Sequence, residues 1–119
     1  MVNLGPDDPV SNSDITPGVD LTGVDLRGTD LTKADLQGAT LRQADLRGTD
    51  LTKATLRGAS LPGADLRQAD LTKVDLRGAD MRRANVLAAR LEQVEIEQAA
   101  GEYATLSEIK RKGAVRENV

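Results

Sequence analysis

Large apolar residues recur at every fifth position through most of the chain: Leu21, Leu26, Leu31, Leu36, Leu41, Leu46, Leu51, Leu56, Leu61, Leu66, Leu71 and Leu76, continued by Met81, Val86, Leu91 and Ile96. Two residues before each stands a small or β-branched one, from Val19, Val24, Thr29 and Ala34 through to Val94, and the position between them is usually Asp. A step of five matches neither regular element. On a helix it turns the side chain by about 140° each time, so the leucines would spiral round every side. On a flat strand an odd step alternates faces and sends half of them into water. The spacing therefore predicts a chain that bends after each unit. Four bends of about a right angle bring every Leu and every small residue to the inside of a square coil.

A second period supports the square. Thr29-Asp30-Leu31-Thr32-Lys33 returns as Thr49-Asp50-Leu51-Thr52-Lys53 and again as Ala69-Asp70-Leu71-Thr72-Lys73, so the sequence also repeats every twenty residues. The run from Val19 to Gln98, eighty of 119 residues, resembles the pentapeptide-repeat proteins, a family built on A-D/N-L-x-x units. The resemblance implies an all-β solenoid, a right-handed quadrilateral β-helix, here of about four coils. Members of that family range from topoisomerase inhibitors that imitate DNA to many cyanobacterial proteins without an assigned role. The leucine-centred units, with no Phe anywhere in the chain, are more similar to the latter.

Stacked coils place one residue of each column about 4.8 Å above the last, the spacing of hydrogen-bonded strands. The leucines then form the core, and small residues such as Ala39, Ala59 and Ala79 leave room for them, since larger side chains there would overpack it. Thr29 and Thr49 fall on inward positions, where a hydroxyl without a partner is costly, so bonds to neighbouring backbone are expected. At the corners, Gly often takes the second place, suited to the positive φ of a type II turn. Lys33, Lys53 and Lys73 hold that place on one edge and disfavour it, which predicts type I or distorted turns there.

Three segments are expected: residues 1–18 as an N-terminal extension or partial cap, 19–98 as sixteen repeat units, and 99–119 as a C-terminal cap with a short helix and tail. Pro6 and Pro9 mark the first, and a capping turn is expected from about Ser13. The last units, around Val86, Leu91 and Ile96, keep the fivefold step and are read as coil although their composition also suits a helix. Beyond them Thr105-Leu106-Ser107-Glu108 has capping-box spacing, with Tyr103, Leu106 and Ile109 on one side, Lys110 to Lys112 at the end and Gly113 as a stop.

The chain has no Cys and no His, which removes thiolate chemistry, disulfides, the usual zinc ligand sets and a histidine base. No enzymatic activity, cofactor or metal site is expected. The Asp30, Asp50 and Asp70 column carries no Arg on its own strands, but a regular ladder beside lysines supplies a poor cage for a cation. Across residues 19–98, ten Asp and three Glu face nine Arg and three Lys, a net charge of −1. An imitator of duplex DNA needs a strongly negative surface, so a DNA-mimicking gyrase inhibitor is the alternative and not the leading function. No segment has the length and apolarity of a membrane span, and a cytoplasmic monomer or weak dimer that contacts another protein is expected, with neither nucleic acid nor membrane as partner. The candidate interaction surface consists of Arg27, Arg47 and Arg67, with Leu87 replacing Arg in their column, and the neighbouring Lys33, Lys53 and Lys73.

Overall fold

The computed structural model describes residues 12–101. The expected cap helix around Thr105–Ile109, the tail after it and the stretch before Asn12 lie outside the described residues. Among the described residues, pairing is by isolated parallel bridges, each joining a residue to the one twenty positions on. They form four columns: Asp20, Thr40, Ser60, Asp80 and Ala100; Asp25, Asp45, Asp65 and Asn85; Asp30, Asp50, Asp70 and Arg90; Asp35, Thr55, Asp75 and Glu95. One coil therefore has four sides of five residues, as the two periods require. Each side is too short to form an extended strand before the next corner.

The central and small positions fill the interior. Leu21, Leu51 and Leu76 have no exposed surface, nor do Ala39, Ala64 and Ala79 two residues before other central positions. Val86, Leu91 and Ile96 continue the same core, and Asn85, Arg90 and Glu95 keep the bridge pattern, so the last units are coil. Of the two threonines expected to point inward and bond backbone, Thr49 is buried and its hydroxyl donates to the Leu46 carbonyl at 2.7 Å, whereas Thr29 is half-buried and makes no such bond among the described residues. At the other end a 3-10 turn, Asn12–Asp14, precedes Ile15, which packs against the core.

The backbone of one unit, Leu51–Thr55, accounts for all its donors. Leu51 N–H bonds Asp70 of the following coil at 2.8 Å, and Lys53 N–H bonds Thr72 at 2.9 Å. Ala54 N–H closes the corner on Leu51 at 2.9 Å, while Thr55 N–H reaches back to Ala34 at 3.0 Å. The remaining donor, Thr52 N–H, is taken by the Asp50 carboxylate at 3.0 Å. Asp is thus a corner cap as well as a surface charge. The same Asx-type bond occurs from Thr22 to Asp20, Arg27 to Asp25 and Leu87 to Asn85. Asn85 shows that the cap needs the side-chain carbonyl oxygen and not the charge, which explains why the repeat accepts D or N.

The turn assignment on the lysine edge is corrected. Lys33, Lys53 and Lys73 have φ of 60°, 63° and 61°, matching glycines such as Gly58 at 64° on another edge. With a four-residue hydrogen bond and positive φ only at the third residue, these corners are of type II form. The cause is the ladder: the second corner residue must aim its N–H at the coil above while the next N–H closes the turn. That requirement is the same on all four edges, and it outweighs the local preference of Lys against the left-handed region.

Candidate functional site

The outward Asp and the Arg two residues later lie side by side at a corner, so the guanidinium meets the carboxylate that already caps the backbone. Arg47 bonds Asp45 through Nε at 2.8 Å and Nη2 at 2.6 Å. The pairs Arg27–Asp25, Arg67–Asp65, Arg77–Asp75 and Arg82–Asp80 repeat this forked geometry. Contacts also run along the stack: Arg27 Nε lies 3.7 Å from Asp45, and Arg47 Nε 3.7 Å from Asp65. The Asp25 carboxyl is drawn down to about 2 by the Arg27 side chain and then the Arg27 N–H. Asp45 and Asp65 are lowered too, chiefly by Arg47 and Arg67, against an opposing effect of burial.

The candidate residues therefore separate into three kinds. Arg27, Arg47 and Arg67 form a continuous ladder whose charge is largely matched by Asp25, Asp45 and Asp65. Leu87 continues that column and is 68% exposed, the exposed large hydrophobic residue among those described. With Arg47, Arg67, Gln68 and Ala88 it lines a shallow cleft of about 270 Å³. Lys33, Lys53 and Lys73 are exposed on the next edge and are not drawn into the cleft.

Asp30, Asp50 and Asp70 each cap a Thr N–H, and the Thr52 and Thr72 hydroxyls donate to Asp50 and Asp70 at 2.6 Å. One oxygen of each carboxylate, Oδ1, is thus engaged in the corner bonds, and no cluster of three or more potential metal ligands occurs among the described residues. The capping role of Asp was missed in the sequence, although a visible signal existed: in eleven of the sixteen units Asp or Asn stands two residues before the first corner residue, whose amide it caps.

Residues 18–48 and 49–86 each match the family model described as pentapeptide repeats (8 copies). The chain belongs to the pentapeptide repeat family. Proteins of this family form right-handed quadrilateral β-helices and are generally non-enzymatic structural modules. Among solved structures, the pentapeptide repeat protein Rfr23 from the cyanobacterium Cyanothece 51142 is 31% identical, with a TM-score of 0.72 over 73% of this chain and 59% of that one. A pentapeptide repeat protein from the Arabidopsis thaliana thylakoid lumen is 40% identical over 77% of this chain and 59% of its own, with a TM-score of 0.36. The protein alr5209 from Nostoc Pcc 7120 is 32% identical over 83% and 82%, with a TM-score of 0.45. This pentapeptide repeat chain thus spans about three fifths of the first two relatives. No curated protein matches it. No helix among the described residues is long and apolar enough to cross a membrane.

Proposed function

We propose that this pentapeptide repeat protein is a non-catalytic interaction module of about four coils that binds another protein through the cleft beside Leu87. The observation that carries the reading is the replacement of charge by an exposed apolar side chain in a column that otherwise holds Arg27, Arg47 and Arg67. A partner that covers Leu87 removes apolar surface from water, and the paired arginines around it supply a polar rim. The backbone lattice makes the platform rigid, because each corner is tied to the coil above.

Topoisomerase-directed DNA mimicry is the competing reading. The Arg–Asp forks count against it, since they neutralise the carboxylates that would have to stand in for phosphates. The test compares proteins captured from native lysate by the wild type and by Leu87→Asp. The proposal expects a stoichiometric partner that the variant loses; identical captured sets would remove the Leu87 surface. A gyrase supercoiling assay runs beside it, and inhibition at micromolar protein would favour the mimic.

A further inference from the structure

The rule that ties each corner Arg to the Asp two residues before it is broken on two neighbouring edges. Arg42 follows Thr40, and Arg57 follows Thr55. Among the described residues Arg42 has no side-chain hydrogen bond or ion pair. Arg57 reaches Asp75 only at 3.9 Å, and Asp75 is already held by Arg77 at 2.7 Å. The Thr55 hydroxyl takes over the backbone cap weakly, accepting the Arg57 N–H at 3.4 Å, but offers nothing to the guanidinium.

These two edges bound the same side of the solenoid. Arg57 stands at the corner that leads into Ala59-Ser60-Leu61, and Arg42 at the corner that leads out of Ala39-Thr40-Leu41, the equivalent stretch one coil earlier. Between the edges lie Thr40 and Ser60, bridged to each other. This is the side on which two successive outward positions are uncharged. The Arg57 edge also carries a cleft of about 460 Å³, lined by Arg57, Arg77, Gly58 and Gly78 among others. A Cβ on Gly58 would meet nothing within 4 Å, so a ligand can approach the backbone there.

We propose that this face is a docking surface for an acidic, extended segment of a partner protein, whose carboxylates occupy the places that Asp holds in the other units. The inference rests on the interaction-module reading and assigns it a second face, separate from the Leu87 cleft. The chemistry is that of the internal forks: a planar guanidinium takes a carboxylate through two parallel N–H bonds, and a charge released from internal pairing is available for an external one. The Thr40 and Ser60 hydroxyls add neutral donors between the two charges. Nucleic acid fits less well. Glu97 lines the cleft, Asp80 lies close enough to feel Arg42, and the chain carries a net charge of −3, so a continuous polyanion meets repulsion that a peptide with isolated carboxylates avoids.

The probe is a fluorescein-labelled decapeptide of alternating Glu and Ser, titrated with the full chain at low salt and read by polarisation. Saturable binding that weakens with salt is expected. The Thr40→Asp/Thr55→Asp variant supplies each arginine with the carboxylate its unit lacks, as Asp75 does for Arg77, and is expected to lose about tenfold or more in affinity. Its melting temperature should stay level or rise, which separates loss of binding from loss of fold. Lys33→Gln/Lys53→Gln changes the net charge equally on another edge and should leave binding within about twofold. No saturable binding by the wild type, undiminished binding by the threonine variant, or an equal loss in the lysine variant would overturn the proposal. Capture of a partner that depends on Leu87 would in that case still support the module reading, so the two fail separately.

Discussion

Arg47 and Asp45 meet as a closed fork, Nη2 to Oδ2 at 2.6 Å and Nε to Oδ1 at 2.8 Å, while the same Asp45 oxygen that faces Nε also lies 3.3 Å from the Arg47 amide. One carboxylate therefore serves the corner backbone and the charge ladder together, and protonating it weakens both.

The first expected outcome concerns acid. Carboxyls of Asp20, Asp25, Asp30, Asp45, Asp50, Asp65, Asp75 and Asp80 are all lowered in the fold, Asp25 to about 2. In the unfolded chain they titrate near 3.9. Between these values the unfolded state binds more protons, so stability rises with pH there and is fully present above about pH 5. Denaturation midpoints should hold level from neutrality down to about pH 5 and fall steadily from about pH 4 to pH 2. A midpoint that does not move across that interval would show that the forks and caps contribute nothing to folding.

The cap itself can be separated from the charge. Asp50→Asn keeps an oxygen for the Thr52 amide, as Asn85 does for Leu87, whereas Asp50→Ala removes it. Asn should cost less than about 0.5 kcal/mol and Ala about 1 kcal/mol, the usual worth of such a bond. Urea melts of both variants at neutral pH provide the comparison, and equal losses would refute the capping role.

For the core, Leu51→Ala should lose about 2 to 5 kcal/mol, because Leu51 is fully buried and its removal leaves a cavity between stacked coils. A measured loss under about 0.5 kcal/mol would mean that the stack collapses freely around the gap, contrary to the close packing of interiors.

At the lysine corner, φ of 63° at Lys53 predicts the order Gly above Lys above Val in stability. Gly removes the Cβ clash of the left-handed region but brings a more flexible unfolded chain, so the gain should be a few tenths to about 1 kcal/mol. Val, β-branched in that region, should lose about 1 kcal/mol or more. Thermal melts of the three proteins give the ranking, and Val equal to Gly would contradict the type II corner.

The periodicity of Leu and of the small residues was enough to derive the coil, its four sides and the inward register, because a five-residue step has no other way to bury every Leu21-type position. It likewise showed Val86, Leu91 and Ile96 as coil, and the neutral partner expected for Thr49. These conclusions depend on which residues must leave water, a property carried by each side chain alone. The corner conformation at Lys53 went the other way: local preference argued against positive φ, and the hydrogen bond from its amide to Thr72 in the next coil decided it. The pairing state of each arginine was also hidden. Arg42 and Arg47 differ in the sequence by what stands two residues before them, Thr40 and Asp45, but only the corner geometry shows that this difference decides pairing: Asp45 closes a fork around Arg47, and Arg42 has no such fork. The reason is general to this chain: burial follows from the repeat unit by itself, whereas hydrogen-bond and charge partners come from residues brought together by the turn and by the coil twenty positions away.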